Sequence, residues 1–389
     1  MLNNLYVDFT RSVPAKGYKY HGGGNYTKRL LQLIGETRNL QKNVIVLWPK
    51  GYLAKTEEEE SIIKCSKFTI QEVDIVDESI ALKDNSVVFF PLLNARSWKI
   101  VKKIKQKYPT IKIYITIHGL RLLDLKPDKY DLFYHSSKLN IFFYSHLEYL
   151  IKKFIYKRWL KEYLPYCDKV FTVSNFSLQQ ITNICNVKFI APYYQGIILK
   201  DSPVDLTIEE DYILFVSANR NEKNFMRALE AFCNYKKKSS NKTFLYVTGI
   251  DQCERNKIHQ YFNAETKEII NKWVVFFEYV NMGKLNSLYK QCKFFLYTSK
   301  SEGFGLPVME AIFNGRPVVA SYVTSIPEVA GSAVYYVNPY DVYSIEKGLA
   351  YMSEPINLHR YENIIAQMKP LMKSRVETEQ KILIDEILE

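Results

Sequence analysis

The apolar positions of this chain fall into short continuous runs separated by stretches with helical spacing. In the first half the runs are Leu5–Phe9, Val44–Trp48, Phe68–Ile75, Val87–Phe90, Ile113–Ile117 and Val170–Ser174, with a shorter one at Lys188–Ile190. These segments predict strands, with Ile113–Ile117 a buried one. Between the first two, Tyr26–Glu36 carries Leu30, Leu31, Leu33 and Ile34 at helical spacing. A second series starts at Tyr212–Ser217 and continues through Phe244–Thr248, Val274–Phe277, Phe294–Thr298 and Val318–Ala320, with helices expected at Phe225–Phe232 and Leu285–Cys292. Strands alternating with helices predict parallel sheets, and the restart predicts a second Rossmann-like set. The crossing between the two falls at Pro192–Asp201, with Gly196 as a hinge, and the last helix is expected at Glu377–Leu388.

One stretch carries more than fold information. Ser301-Glu302-Gly303-Phe304-Gly305-Leu306-Pro307-Val308-Met309-Glu310-Ala311 follows an expected strand. Pro307 suits the first position of a helix, where its missing N–H would be unpaired anyway. Asn314-Gly315 ends that helix in the left-handed manner, and Pro317 cannot continue it. Glu302 is therefore expected on a loop and Glu310 on the first helical turn. Gly303 and Gly305 allow close approach of backbone to a ligand, and free N–H groups at a helix start attract anions, phosphate above all. Two carboxylates accept hydrogen bonds from hydroxyls, which sugars and riboses offer. A βα turn with solvated glutamates is the plain alternative.

The same string resembles the E-x7-E signature of family-4 retaining glycosyltransferases. That resemblance implies an α/β chain of GT-B fold, two Rossmann-like domains facing a central cleft, with a nucleoside-diphosphate sugar held mainly by the second. It covers about Tyr212–Gly348 well and the first half thinly. The expected division is 1–195 for an acceptor domain, 196–365 for the nucleotide-sugar domain and 366–389 for a helix returning to the first. Gly22-Gly23-Gly24 after the first strand reads as a glycine loop before a helix, and the resemblance puts Gly23 and Gly24 near the donor phosphates. His118 ends the strand Ile113–Ile117, and ligands of open α/β sheets bind at such strand ends. The resemblance aims His118 at the donor sugar. In the loop Ala218–Asn224, Arg220 and Lys223 suit a diphosphate, Arg by its planar fork and Lys as a point charge. Where the family has glycine before its arginine, this chain has Ser217-Ala218, so Arg220 takes that role from two positions on. Tyr279 and Val280 would lie against the nucleotide base. Phe304, Gly305 and Leu306 would line the diphosphate, Glu310 would hold the ribose and Glu302 the sugar hydroxyls. Ile326-Pro327-Glu328, Ala333–Val337 and Asn338-Pro339 complete the family pattern. Retention in this family is thought to need no protein nucleophile, so Glu302 is not assigned as one.

Composition narrows the class. With 389 residues the chain can hold two ordinary domains, and 47% hydrophobic with 24% charged residues is the balance of a globular protein. No run of about 18 apolar residues predicts a spanning helix. The start lacks a basic region followed by an apolar run, so no secretory signal is expected. The six cysteines are scattered without a Cys-x-x-Cys pair, which fits a reducing, cytoplasmic setting and no metal site. No Asp-x-Asp motif is present, and neither metal nor cofactor is expected besides the sugar nucleotide. A net charge of +12 draws the protein to polyanions or anionic surfaces. No nucleic-acid module is visible, so nucleic acid is not expected as a partner. The acidic run Thr56–Glu60 reads as a solvated helix start. Two basic helices, 98–108 and 149–164, read either as packed surface helices with extended lysines or as docking elements for an anionic membrane at the inner face of the cell membrane. These features together point to sugar transfer onto a glycan or lipid-linked acceptor in surface polysaccharide assembly. A sugar-nucleotide epimerase of the same fold, a non-catalytic sugar-nucleotide-binding subunit and a charge-driven nucleic-acid binder are the competing readings.

Overall fold

The computed structural model describes residues 4–13, 22–77, 79–93, 97–134, 141–195, 208 and 210–389. The strands of the first series are β1 (Asn4–Asp8), β2 (Asn43–Pro49), β3 (Phe68–Val73), β4 (Val87–Phe90), β5 (Lys112–Ile117), β6 (Lys169–Thr172) and β7 (Ile190–Pro192). Those of the second are β8 (Tyr212–Phe215), β9 (Phe244–Thr248), β10 (Val274–Phe277), β11 (Phe294–Tyr297), β12 (Val318–Ser321) and β13 (Val334–Val337). They form two sheets, in the orders β3-β2-β1-β4-β5-β6-β7 and β10-β9-β8-β11-β12-β13. Every pairing is parallel; Leu214 of β8, for instance, lies beside Phe295 of β11. Parallel strands need both faces covered, which is why β4 (VVFF), β8 (YILF) and β11 (FFLY) are buried at every position. In each sheet the strand order reverses beside the first strand, between β1 and β4 and between β8 and β11, and loops splay apart there to leave room for a ligand.

The chain forms two compact units. One is Met1–Leu120, Lys153–Gly196 and Ser374–Glu389; the other is Arg121–Lys152 and Ile197–Lys373. This division differs from the boundaries expected above, because residues 121–134 pack with the second sheet. Tyr130 and Phe133 belong to the same buried cluster as Phe215, Phe225 and Phe232. The hinge Gly196 and most of the expected crossing lie outside the described residues.

Three local expectations are corrected. The helix after β1 begins at Gly22, so Gly23 and Gly24 sit in its first turn and not in a preceding loop; His21 is outside the described residues. The first N–H groups of any helix have no intrahelical partner, so a first turn tolerates glycine better than an interior does. The acidic run opens the helix Glu57–Lys64 and is capped by Thr56, but Glu59 is not solvated. It is 1% exposed, and its carboxylate lies 2.7 Å from Lys28 Nζ and accepts from the Lys55 N–H at 2.7 Å. The final helix runs Pro355–Leu388 with Pro370 inside it, far longer than Glu377–Leu388. Proline argues for a break, but burial of Ile365 and Val376 on either side of it carries the helix through.

Candidate active site at the β8/β11 switch point

The second unit converges on the loops that leave β8 and β11. After β8 the chain makes a tight turn, a single 3-10 turn at Asn221–Lys223, and enters the helix Phe225–Lys238. After β11 it runs through Thr298–Gly305 into the helix Leu306–Phe313. Gly305 caps that helix with φ +93°, which glycine adopts freely and other residues do not. Leu306 is the first helical residue, Pro307 the second, and Glu310 the fifth, one turn later than expected. The helix ends in a Schellman motif: the N–H of Gly315 donates to Ile312 O at 2.9 Å and that of Arg316 to Ala311 O at 2.9 Å, with Gly315 at φ +75°.

Lys223 and Glu302 meet at the centre. Lys223 Nζ lies 2.5 Å from Glu302 Oε1, and the lysine is 3% exposed. The Tyr297 hydroxyl is 2.6 Å from the same Oε1, and Ser299 Oγ is also 2.6 Å from it. Burial by itself would raise the Glu302 carboxyl; the Lys223 ammonium and the bonds from Lys223, Ser299 and Tyr297 outweigh it and hold the group below the ordinary glutamate value. Burial lowers the Lys223 ammonium, with Glu302 opposing. The pair is thus buried and fixed. The backbone of Glu302 is pinned too: its N–H donates to Thr324 Oγ1 at 3.0 Å, and Ser325 Oγ donates to its carbonyl at 3.0 Å.

Backbone strain gathers around this pair. Among the described residues, the non-glycine positions with positive φ are Asn85, Ser217 (φ +58°), Asn224 (φ +64°) and Thr324 (φ +51°). The last three flank the site, and Thr324, being β-branched, is the least suited to that conformation. Strain of about 1–3 kcal/mol per residue persists only where the surroundings enforce it. Ser217 holds the conformation that a glycine would take there. Asn224 is held by bonds from its Nδ2 to Thr298 O at 3.1 Å and Pro339 O at 2.7 Å.

The other expected residues fall as follows. Arg220 is half-exposed and paired with Glu222, which also pairs with Arg121. That double pairing overcomes burial and pulls the Glu222 carboxyl down to about 2. Glu310 is half-buried beside Tyr289, and burial raises its carboxyl. Phe304 is 4% exposed and belongs to the core, so only its backbone can meet a ligand. Tyr279 and Val280 follow β10, with Tyr279 51% exposed. His118, Gly23 and Gly24 belong to the first unit. There His118 follows β5, donates from Nε2 to Pro91 O at 2.9 Å and meets the Tyr26 ring edge-on at 4.6 Å.

Several residues of the site carry no signal in the sequence motifs. Residues 121–134 form a strap over the two loops. Asp124 Oδ2 accepts from Ser301 Oγ at 2.9 Å, Asp131 Oδ1 lies 2.6 Å from Lys300 Nζ, and Tyr130 donates to Glu230 Oε2 at 2.6 Å. Tyr134 donates to Ala218 O at 3.0 Å, and Asp128 pairs with Arg227. The one hint was the polar run Thr298-Ser299-Lys300-Ser301 directly at the end of a fully buried strand, where polar side chains need partners.

Two Rossmann-like parallel sheets in one chain, with a fixed ion pair and a glycine-capped helix start at the second switch point, define a protein of the GT-B class. Residues 201–366 match the family model described as "Glycosyl transferases group 1". The chain is 34% identical over 136 residues to O-antigen chain mannosyltransferase B of Escherichia coli, covering 35% of each. It is 27% identical over 220 residues to O-antigen chain mannosyltransferase RfbU of Salmonella typhimurium, covering 56% of this chain and 60% of that protein. The matched part is thus less than two thirds of either relative. Among solved structures, sucrose-phosphate synthase from Thermosynechococcus elongatus superposes with a TM-score of 0.67 at 14% identity, covering 98% of this chain and 97% of that one. The HepE protein of Anabaena, solved with UDP and glucose, superposes with a TM-score of 0.64 at 11% identity, covering 100% and 99%. These likenesses establish the fold.

Proposed function

We propose that this protein is a retaining glycosyltransferase that moves a sugar from a nucleoside-diphosphate sugar to a glycan or lipid-linked acceptor in surface polysaccharide assembly. The observation that carries this reading is the buried Lys223–Glu302 pair set beside the Gly305 helix start, within the residues that match the group 1 glycosyl transferase family. Departure of the sugar leaves charge on the diphosphate. Arg220, Lys223 and the N–H groups at Gly305-Leu306 are the donors that would stabilise it, and they can do so without a metal. Glu302 would bind sugar hydroxyls and Glu310 the ribose. Three donors already sit on Glu302 Oε1, which makes it a poor nucleophile and favours retention without a glycosyl-enzyme bond. Both relatives described above are mannosyltransferases by name, so a nucleoside-diphosphate mannose is the first donor to test. Tyr279, Val280, Phe304 and Leu306 are assigned to the donor site as the family resemblance implies.

A thermal-shift and hydrolysis screen of nucleotide sugars without added metal tests this. One donor is expected to stabilise the protein by about 2.7 kcal/mol at a hundredfold excess over its Kd. Glu310→Ala should abolish that shift. Absence of stabilisation by every donor would overturn the reading.

The lipid-linked acceptor is supported by the helix Ile141–Tyr163. Leu147 (58% exposed), Leu150, Ile151, Phe154 (68%) and Ile155 form an apolar stripe at helical spacing that faces solvent, while Tyr156 and Leu160 face the core. Exposed Lys152, Lys157 and Arg158 flank the stripe. An apolar face rimmed by cations fits the interface of an anionic membrane. The other basic helix, Lys99–Lys107, buries Ile100, Val101 and Ile104 and commits Lys105 to Asp168, so it offers charge but no such stripe. No helix among the described residues is long and apolar enough to cross a membrane. The proposed location is the cytoplasmic face of the membrane, with peripheral binding through the helix Ile141–Tyr163. Sedimentation with vesicles containing anionic lipid should show binding that drops on the order of 100-fold when Lys152, Lys157 and Arg158 are reversed to glutamate. Unchanged binding would remove the membrane role.

A further inference from the structure

The strand β11 reads Phe294-Phe295-Leu296-Tyr297, and all four side chains are 0% exposed. Phenylalanine would fill the last position as well as tyrosine does, so the hydroxyl needs a reason to be there. A buried hydroxyl without a partner costs about 1–3 kcal/mol, so its placement follows its partners. It lies 2.6 Å from Lys223 Nζ and 2.6 Å from Glu302 Oε1. The direction of each bond is fixed by chemistry. An ammonium only donates, a carboxylate only accepts, and a phenol has one proton. Tyr297 therefore accepts from Lys223 and donates to Glu302. The ammonium also sits 5.0 Å from the centre of the Tyr297 ring, which adds a cation–π attraction. Burial and the neighbouring Glu302 push the phenol well above its ordinary value, so it keeps its proton.

We propose that Tyr297 is a positioning residue of the donor site: its hydroxyl locks Glu302 Oε1 and one Nζ proton of Lys223, turning Glu302 Oε2 and the remaining ammonium proton to the sugar nucleotide. The division of labour within Glu302 supports this. Oε1 receives Lys223, Tyr297 and Ser299, whereas no hydrogen bond among the described residues reaches Oε2. Of the three Nζ protons of Lys223, one goes to Tyr297 and one to Glu302. The same hydroxyl thus fixes both the carboxylate meant for the sugar and the cation meant for the diphosphate, which stand 79 residues apart in sequence.

This inference rests on the donor-site reading above. Its test is Tyr297→Phe, with wild type assayed in parallel for hydrolysis of the nucleotide sugar that the screen selects and for binding of the free nucleoside diphosphate. The expected result is a kcat about 10- to 100-fold lower, the worth of one hydrogen bond to a charged group. Binding of the diphosphate should change less than kcat. The acid limb of the kcat/KM profile should move to higher pH, because Glu302 loses a donor that favours its ionised form. A variant with only a lower Tm and an unchanged pH profile would reduce Tyr297 to a structural residue and overturn the inference. If Tyr297→Phe fails to fold, 3-fluorotyrosine at 297 keeps the shape with a stronger donor. The acid limb must then move to lower pH, and no movement overturns the inference. Wild type inactive on every donor sinks the functional reading itself, which is a different outcome from an active wild type matched by its variant.

Discussion

Lys223→Met is expected to destabilise the second unit by about 3–5 kcal/mol at neutral pH, because it leaves the Glu302 carboxylate buried without its cation. The side chains are 4% and 13% exposed, so solvent cannot take over. Tyr297 and Ser299 would remain as donors, but two neutral hydrogen bonds do not replace an ammonium in a low-dielectric site. The pH dependence has a definite sign. In wild type the Glu302 carboxyl is held below its ordinary value, so its contribution is full above the unfolded glutamate pKa of about 4.3 and is lost as pH falls through the lower folded value. Without Lys223, burial dominates and the folded value lies above the unfolded one. The variant's deficit should then shrink as pH falls, since a protonated Glu302 is tolerated. Lys223→Met with Glu302→Gln should recover most of the loss. Urea unfolding of the three proteins at neutral and mildly acidic pH reads all of this. Equal stability of the single and double variants would show that the pair is not coupled.

The second large effect concerns the strap over the site. Asp128→Ala should cost about 3–5 kcal/mol, since it strands the buried Arg227 guanidinium without its carboxylate partner. Both side chains are buried, at 8% and 5% exposed. Arg227 keeps Asn224 Oδ1 at 2.7 Å, Pro339 O at 3.0 Å and the Tyr130 ring at 4.4 Å, all neutral partners. Because Asn224 carries strained backbone at the entry to the helix Phe225–Lys238, loosening Arg227 also loosens the turn that presents Lys223. Limited proteolysis should cut the variant within residues 121–134 while wild type resists there. Resistance equal to wild type would mean that the strap is held by its remaining contacts alone.

The strands were legible because fully buried parallel strands are continuous apolar runs, and the parallel sheets follow from their alternation with helices. The turn Gly305-Leu306-Pro307 was legible too, since a positive φ and a missing N–H act on the residues that carry them. Glu59 misled for the opposite reason: four glutamates in a row predict solvent, and only the arrival of Lys28 makes one of them buriable. The final helix was expected too short; it runs through Pro370, whose local penalty of about 3 kcal/mol is exceeded by burial on both sides. The strap was invisible. Asp128 and Asp131 look like ordinary loop acids, and their partners Arg227 and Lys300 stand 99 and 169 residues away.

The sequence by itself determined the two successions of strands and helices and the glycine-capped helix start. All of these are set by backbone preference and apolar spacing within a few residues. Only the tertiary structure decided that Glu302 is ion-paired to Lys223, that the Tyr297 hydroxyl joins them, and that residues 121–134 close over their loops. Such pairings depend on which strands become neighbours, and burial then makes each charge cost several kcal/mol unless its partner is in place.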